Sequence, residues 1–214
     1  MQIVYKYTPT RIYVEEDDKL LGTFPIGNLK LHRMLTLNLP TIYTCPGALD
    51  CIRWCYGTRP ENRFPRTLRS RQRNLEMTKR QDFSDILKVV ISIAKNFKVT
   101  IVRPHEAGDF YNQEYLNTWL TVMKLNPDIK FYAYTRSAHL DFTTKPKNFN
   151  LLYSTGGKYD SMIPDGSRVC TTFEDKPPIG FEVCPCRKGH SASMCGLFCF
   201  ACPSGNKNIA IKKH

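Results

Sequence analysis

Long apolar runs and an export signal are both missing from this sequence. Apolar stretches such as Val89–Ile91 are far shorter than the roughly 20 residues that a membrane-spanning helix needs. The N-terminal residues contain no basic segment followed by an apolar one, which is the pattern of a signal peptide. We therefore expect a cytoplasmic protein with no membrane segment, in which cysteine thiols stay reduced.

Several common catalytic motifs are also missing. The chain has no glycine-rich phosphate loop, no G-x-S-x-G turn and no H-E-x-x-H pair. These absences leave nucleotide-hydrolysing P-loop proteins, α/β-hydrolases and zinc peptidases without support in the sequence. The 214 residues are 42% hydrophobic and 23% charged, which is the composition of an ordinary globular protein and excludes wholesale disorder.

Acidic residues are scarce in two segments. The chain carries 31 Lys and Arg residues against 19 Asp and Glu residues, a formal net charge of +12. Residues 53–80 hold nine basic and two acidic residues, and residues 184–214 hold five basic residues and none that is acidic. Concentrated Lys and Arg attract phosphates, so nucleic acid or another polyanion is the expected partner. A basic surface that only keeps the protein soluble is the alternative.

Hydrophobic periodicity predicts an α/β fold. Helices are predicted for residues 66–80 and 83–96, and Asn112 is placed to cap a third helix. Short apolar runs between and after these helices predict strands, and helices that separate strands favour a mainly parallel sheet. We expect an incomplete (βα) barrel or an open, mostly parallel sheet over residues 1–183. A small cysteine-rich metal-binding tail over residues 184–214 would pack on it.

Three of the nine cysteines form a first group, spaced C-x5-C-x3-C, at Cys45, Cys51 and Cys55. A loop this short can bring three thiolates to one metal centre. A structural zinc ion would require a fourth ligand, whereas a [4Fe–4S] cluster can take three thiolates and keep one open iron. We therefore expect a [4Fe–4S] cluster, with zinc, a cluster completed from elsewhere in the chain, and unliganded buried thiols as the alternatives.

Five cysteines within nineteen residues form a second group near the C-terminus, interleaved with glycine and proline. This pattern predicts a second iron–sulfur cluster or a zinc site, and a zinc knuckle that only holds the tail in place is the structural alternative. Cys186 and His190 are alternative fourth ligands, and the isolated Cys170 is predicted to be a small core residue. The expected ligands are Cys184, Cys195, Cys199 and Cys202.

Polar residues follow three successive predicted strands, in residues 103–111, 135–137 and 154–158. Because the carboxyl ends of parallel strands meet at one edge of a sheet, these residues are expected to line one pocket facing the first cysteine loop. Helix capping by Asp109 and an ion pair of Arg136 are the ordinary alternatives. The candidate catalytic residues are Glu106, Asp109 and Arg136, and the candidate cofactor-binding residues are Gly108, Trp54 and Ser137.

Several of these motifs together resemble a known family. The segments 37–40, 44–48, 51–56, 108–111 and 132–137, with Cys184-Pro185 and Cys195-Gly196-Leu197, are similar to the phage "gene product eighty-eight" family. The resemblance runs from about Gly22 to Cys202, with the motifs in the same order. It implies a phage protein in the host cytoplasm and a role for the cysteines, and it implies no particular reaction.

A looser resemblance is to radical S-adenosylmethionine enzymes. A three-cysteine loop follows an early strand, Trp54 precedes its last cysteine, and residues 106–109 lie where those enzymes bind the methionyl amine. Their loop is usually C-x3-C-x2-C, so the spacing here departs from theirs. The resemblance implies S-adenosylmethionine as a cofactor, with Glu106 and Asp109 holding its polar groups and Arg136 holding a phosphate or carboxylate of the substrate.

These observations lead to two main hypotheses. The first is an iron–sulfur enzyme of radical S-adenosylmethionine type that acts on a nucleic acid or nucleotide. The second is a nucleic-acid-binding protein with structural metals, in which Trp54, Tyr56 and Phe64 stack on bases. A protein that captures a host factor through its basic face is a third reading. The expected phosphate contacts are Arg59, Arg63, Arg66, Arg69, Arg71 and Arg73.

Overall fold

The computed structural model describes residues 2–28, 31–185 and 195–213, and it contains two β-sheets flanked by helices. The strands are β1 (Ile3–Thr8), β2 (Arg11–Glu16), β3 (Lys19–Pro25), β4 (Met34–Thr36), β5 (Ile101–Arg103), β6 (Lys130–Thr135), β7 (Phe149–Ser154), β8 (Val169–Phe173), β9 (Glu182–Val183) and β10 (Ile209–Lys212). The helices are α1 (Thr58–Arg63), α2 (Pro65–Thr78), α3 (Phe83–Asn96), α4 (Gln113–Leu125) and α5 (Ala201–Ser204).

The larger sheet has seven strands in the order β4-β5-β6-β7-β8-β10-β9, and every neighbouring pair is parallel. The predicted α/β class is therefore confirmed. Asn112 caps α4 as expected, because its side-chain oxygen accepts a hydrogen bond from the backbone N–H of Tyr115 at 2.8 Å. Pro65 begins α2, where its missing N–H costs no helical hydrogen bond.

The outer face of this sheet carries the main hydrophobic core. Alternate strand residues, among them Val102, Phe131 and Leu151, are buried there against α3 and α4. The small antiparallel sheet β1-β2-β3 adds Ile12, Val14 and Phe24 to the same core. This arrangement follows from period-two strands facing period-3.6 helices, each burying its apolar side.

The opposite face, which we call the inner face, is covered by the C-terminal segment. Its buried residues are Leu31, Met34, Ile101, Tyr132, Leu152, Cys170, Cys202 and Ile209. Residues 195–205 cross this face near the amino-terminal ends of the strands, where Lys130 donates to Ser204 and Asn150 donates to the carbonyl of Gly205. The inner face therefore has a closed amino-terminal end and an opposite end that faces the first cysteine loop.

The seven-stranded sheet is curved. Cys184 directly follows β9 at one edge, and Cys195 pairs with Leu31 just before β4 at the other edge. In a flat sheet these edges would be separated by six strand spacings, roughly 29 Å. Because both cysteines line the same small cavity, the edges approach each other and the sheet forms an incomplete barrel.

The C-terminal residues contribute a strand to this sheet. Strand β10 lies between β8 and β9. No helix in the described part of the chain is long and apolar enough to span a lipid bilayer.

Candidate functional site

A cavity of about 250 Å³ opens at the carboxyl ends of the barrel strands. Its lining comes from the first cysteine loop, the loops after β5 and β6, the strand β8 and the end of β10. Cys45, Cys51 and Cys55 all contribute to it, together with Trp54. The structure therefore brings the three cysteines to the strand ends that sequence reasoning associated with them.

Close backbone contacts hold the cysteine loop over the strand ends. A Cβ on Gly47 would lie 1.9 Å from the carbonyl oxygen of Arg136, so only glycine allows this approach. The carbonyl of Gly47 accepts a hydrogen bond from the N–H of Lys158 at 3.0 Å, and the N–H of Asp50 donates to the carbonyl of Gly156 at 3.3 Å. The loop is thereby fastened to the segments that follow β6 and β7.

A buried ion pair holds both ends of the same loop. Arg71 pairs with Glu61 at 2.6 Å and also donates to the carbonyl of Gly57 at 2.8 Å. Glu61 in turn accepts a hydrogen bond from the N–H of Thr41 at 2.9 Å. Arg71, expected as a phosphate contact, is thus engaged inside the protein and lies apart from the exposed basic residues.

Asp109 connects the loop after β5 to the end of β6. Its carboxylate accepts hydrogen bonds from the Thr135 hydroxyl at 2.7 Å, the Arg136 N–H at 2.8 Å and the Phe110 N–H at 2.7 Å. Burial raises the pKa of this carboxyl to about 6, although these hydrogen bonds oppose the shift. Asp109 therefore fastens the loop after β5 to the end of β6, and it also lines the cavity.

Ser137 has a similar internal role. It is fully buried, and its hydroxyl donates to the carbonyl of Phe110 at 2.8 Å. Gly108 has a φ of +88°, and a Cβ there would lie 2.7 Å from both Leu39 and Thr44. Of the residues expected to bind a cofactor, Gly108 and Trp54 line the cavity, whereas Ser137 supports the loop behind it.

Glu106 lies at the cavity, where its carboxylate accepts a hydrogen bond from the Asn28 amide at 3.0 Å. The adjacent backbone is fixed by Asn38, whose side-chain oxygen accepts hydrogen bonds from the N–H groups of Glu106 and Ala107, both at 3.0 Å. Nearby His105 is neutral, because burial and then the charge of Arg103 lower its pKa to about 3.

Two arginines also line the cavity. Arg103 ends β5 on the inner face, with its guanidinium carbon 5.7 Å from the ring centre of Tyr132 and 5.3 Å from that of Tyr134. The Nη1 atom of Arg136 is buried and has no hydrogen-bond partner among the described residues. The sequence placed Arg103 among the residues expected to line the pocket, but a specific role was assigned only to Arg136. The sequence feature that could have identified Arg103 is a charged residue at the end of a buried strand.

Three thiols meet at the first cysteine group, which is the number of protein ligands that a [4Fe–4S] cluster with one open iron takes. The three thiols are partly exposed, and burial followed by the negative charge of Asp109 raises the pKa of Cys45 to about 12, so a metal would have to displace its proton. Among the described residues, no three His, Cys, Asp or Glu side chains are close enough to hold a single metal ion. A [4Fe–4S] cluster binds each thiolate to a different iron, so its ligands stand wider apart than those of one tetrahedral ion.

The second cysteine group lies at the other end of the inner face. Cys184, Cys195, Cys199 and Cys202 line a cavity of about 10 Å³ with apolar walls. Cys202 is buried, and its sulfur lies 2.7 Å from the hydroxyl oxygen of Tyr134. The alternative ligands Cys186 and His190 lie outside the described residues.

The basic segment forms α1, α2 and the turn between them. Exposed arginines alternate there with an exposed aromatic residue, Phe64, whose ring lies 5.5 Å from the guanidinium carbon of Arg63. Arg73 is half-buried. Arg59 belongs to the exposed set and also lines the cavity, so this surface begins at the cavity mouth. The exposed arginines of α1 and α2 are Arg59, Arg63, Arg66 and Arg69.

Comparison with known proteins identifies relatives among phage proteins. The Gene 88 protein of Mycobacterium phage L5 is 25% identical over 195 residues, covering 86% of this chain and 79% of that protein. The Gene 88 protein of Mycobacterium phage D29 is 23% identical over 217 residues, covering 86% of this chain and 88% of that protein. No solved structure matches the chain.

The profile of one protein family, Gene product 88, matches residues 12–180. This span includes the first cysteine loop, the basic helices and the strands β5 to β8 that border the cavity, but not β10. The resemblance expected from the sequence motifs is therefore confirmed, and the chain belongs to the Gene product 88 family.

Proposed function

We propose that this protein is an iron–sulfur enzyme in which Cys45, Cys51 and Cys55 hold a [4Fe–4S] cluster over the barrel cavity. The observation that carries the proposal is the convergence of three thiols on one cavity at the carboxyl ends of parallel strands, the usual place for catalysis in α/β barrels. Three protein thiolates leave one iron of a cubane open to a ligand, and the reduced cluster supplies an electron there.

The surroundings of the thiols support a ligand site. The loop is fixed by backbone contacts of Gly47 and by the Glu61–Arg71 pair, which suits a preorganised centre. Trp54 and Tyr134 give the cavity aromatic walls, while Glu106 and Arg136 give it polar groups. S-adenosylmethionine is the cofactor to test, since the looser resemblance noted in the sequence implies it, and a nucleotide or nucleic acid is the proposed substrate class.

The second cysteine group is proposed to hold a second iron–sulfur cluster with a structural role; a zinc ion, the other candidate, would require these cysteines to approach one another more closely than they do here. Its four described cysteines line a cavity too small for a substrate and lie among apolar side chains. A metal there would fasten residues 195–205 across the inner face.

The first experiment is metal analysis of protein purified without oxygen. We expect a broad absorption band near about 400 nm and about four irons and four sulfides for the first cluster. Replacing Cys45, Cys51 or Cys55 by Ser should each remove about four irons, whereas Cys170→Ala, a matched change in the same cavity, should retain them. A colourless wild-type protein that contains only zinc would contradict the proposal.

The second experiment tests the chemistry of the loaded protein. Reduction with dithionite in the presence of S-adenosylmethionine should yield 5′-deoxyadenosine, and Cys51→Ser should abolish the product. If iron is present and no 5′-deoxyadenosine forms, the iron–sulfur site stands and this cofactor is wrong.

A second function is favoured by the basic surface of α1 and α2. Arg63, Arg66 and Arg69 are exposed beside Phe64, an arrangement suited to phosphates and stacked bases of a single strand. Because Arg59 joins this surface to the cavity, a bound strand would lead towards the cysteine loop. Nucleic-acid binding is thus compatible with the enzyme and also stands as an alternative to it.

Fluorescence anisotropy with a single-stranded oligonucleotide tests this function. The logarithm of affinity should fall linearly with the logarithm of salt concentration, and Arg66→Gln with Arg69→Gln should reduce the slope by about 1.4. Lys145→Gln with Lys147→Gln, an equal loss of exposed charge elsewhere, is the matched control. Weak binding at low salt, or equal effects of both double variants, would argue against a specific basic interface.

A further inference from the structure

Arg103, whose guanidinium lies at the cavity, forms no direct ion pair with a carboxylate of the described residues. Arg103 extends from β5, its Nε donates to the carbonyl of His105 at 2.9 Å, and its guanidinium group lies against the rings of Tyr132 and Tyr134. These contacts fix the position of the guanidinium, and the negative charge of Glu106 acts on it from a distance. Among the described residues, no Asp or Glu forms an ion pair with Arg103.

The two carboxylates that line the cavity are engaged elsewhere. Asp109 accepts hydrogen bonds from Thr135 and from two backbone N–H groups, and Glu106 accepts one from Asn28. Withdrawing a charge from water is costly unless a counterion compensates it. A guanidinium that is not directly paired with a carboxylate therefore marks a place where an incoming anion gains binding energy.

A second arginine points to the same kind of ligand. Arg136 lines this cavity, and its buried Nη1 atom has no hydrogen-bond partner among the described residues. Buried donors are normally satisfied, since an unpaired one costs the desolvation of that group. Lys213, which also lines the cavity, is already paired with Glu174 at 2.7 Å. Among the described residues, the buried unmet donor of the cavity is therefore that of Arg136, and the Arg103 guanidinium lies in the same lining.

We propose that the cavity binds an oxyanion, the phosphate or carboxylate of a small ligand, through Arg103 and Arg136. A guanidinium presents parallel N–H donors that match two oxygens of such a group. The tyrosine rings beside Arg103 hold that donor plane in place before the ligand arrives. The oxyanion would be part of the ligand of the proposed enzyme. This proposal rests on the proposed function only in that both assign ligand binding to this cavity.

Thermal unfolding at constant ionic strength tests the proposal with simple probes. Sodium phosphate and sodium acetate are each titrated against sodium chloride, using the full chain purified without oxygen, and iron is measured in the same sample. Saturating phosphate or acetate should raise the Tm of the wild type by about 2–4 °C, because a ligand that binds only the folded state stabilises it. A shift with phosphate identifies a phosphate ligand, and a shift with acetate identifies a carboxylate.

Three variants make the result specific. Arg103→Gln should remove the anion-dependent shift, and Arg103→Lys, which keeps the charge and loses the paired donors, should weaken anion affinity by about tenfold. Lys145→Gln, at an exposed position outside both the cavity and the basic surface of α1 and α2, should keep the full shift. If Arg103→Gln does not fold, the anion affinity of Arg103→Lys tests the proposal instead.

Two results would overturn the inference: no anion-specific shift in the wild type, or wild-type affinity in Arg103→Lys. The iron measurement separates the two proposals. An Arg103-dependent shift in protein that never takes up iron would refute the cluster and leave the oxyanion site standing, whereas iron without any anion-specific shift would do the reverse.

Discussion

The two cysteine groups lie at opposite ends of one inner face, and their surroundings differ. The first group borders a cavity of about 250 Å³ that contains charged and aromatic side chains. The second borders about 10 Å³ of apolar space beneath the C-terminal segment. Since a site that acts on a ligand needs room and polar groups, only the first group is suited to chemistry, and the second is suited to holding the chain together.

The two groups are also held in different ways. Backbone contacts of Gly47 and Asp50 fasten the first loop, so its thiols contribute little to its position. In the second group the cysteines themselves make the contacts, as when Cys202 packs in the apolar cluster of the inner face and approaches Tyr134. Removing a thiol should therefore affect function at one end and stability at the other.

Gly47→Ala is expected to have the largest effect, because it would detach the first cysteine loop from its backbone contacts. The new methyl group would overlap the Arg136 carbonyl at 1.9 Å, and a backbone neighbour cannot move aside as a side chain can. We expect a loss of about 3 kcal/mol in the free energy of unfolding, or detachment of the cysteine loop from the strand ends. Urea unfolding and iron content report these outcomes.

Gly166→Ala is the control for this substitution. Gly166 has a positive φ, +74°, which Gly47 does not, and its Cβ position is open. Backbone strain alone should cost it about 1 kcal/mol, with iron content unchanged. Equal losses in the two variants would show that the contact with Arg136 does not fasten the loop.

Removing one thiol from each group is expected to have an intermediate effect and tests whether the two groups differ in their role in stability. Cys202→Ala leaves the Tyr134 hydroxyl without its partner and opens space in a buried cluster, so we expect a loss of about 2 kcal/mol. Cys51→Ala, at a partly exposed position, should cost less than about 0.5 kcal/mol in metal-free protein. Urea unfolding after chelation measures both, and a reversed order would mean that the roles of the groups are exchanged.

Much of this fold could be predicted from the sequence, because the decisive signals were local. The apolar spacing of α3, the capping residue Asn112 and the proline at the start of α2 each specify an element within a few residues. The strand order β8-β10-β9 could not be predicted, since it depends on a pairing between residues 209 and 170 that no local pattern encodes.

In the candidate site, too, some residues could be identified from the sequence and others could not. Cys45, Cys51 and Cys55 could be grouped by spacing, and Glu106 and Arg136 by their positions after strands. The internal roles of Asp109, Ser137 and Arg71 depend on partners distant in the chain, such as Thr135 and Glu61. A polar side chain that faces a ligand and one that fastens two loops look alike until their partners are known.

An effect smaller than that of Cys202→Ala is expected from Tyr134, the residue that joins the two regions. Its hydroxyl approaches Cys202, while its ring lies beside Arg103 and lines the cavity. Tyr134→Phe removes the hydroxyl alone and should cost about 1 kcal/mol. A double-mutant cycle with Cys202→Ala in metal-free protein should give a coupling of at least about 0.5 kcal/mol, since both changes remove one contact.

The phosphate- or acetate-dependent shift in the Tm of Tyr134→Phe should survive, because the ring beside Arg103 is retained. Loss of that shift in Tyr134→Phe would mean that the two ends of the inner face act as one site.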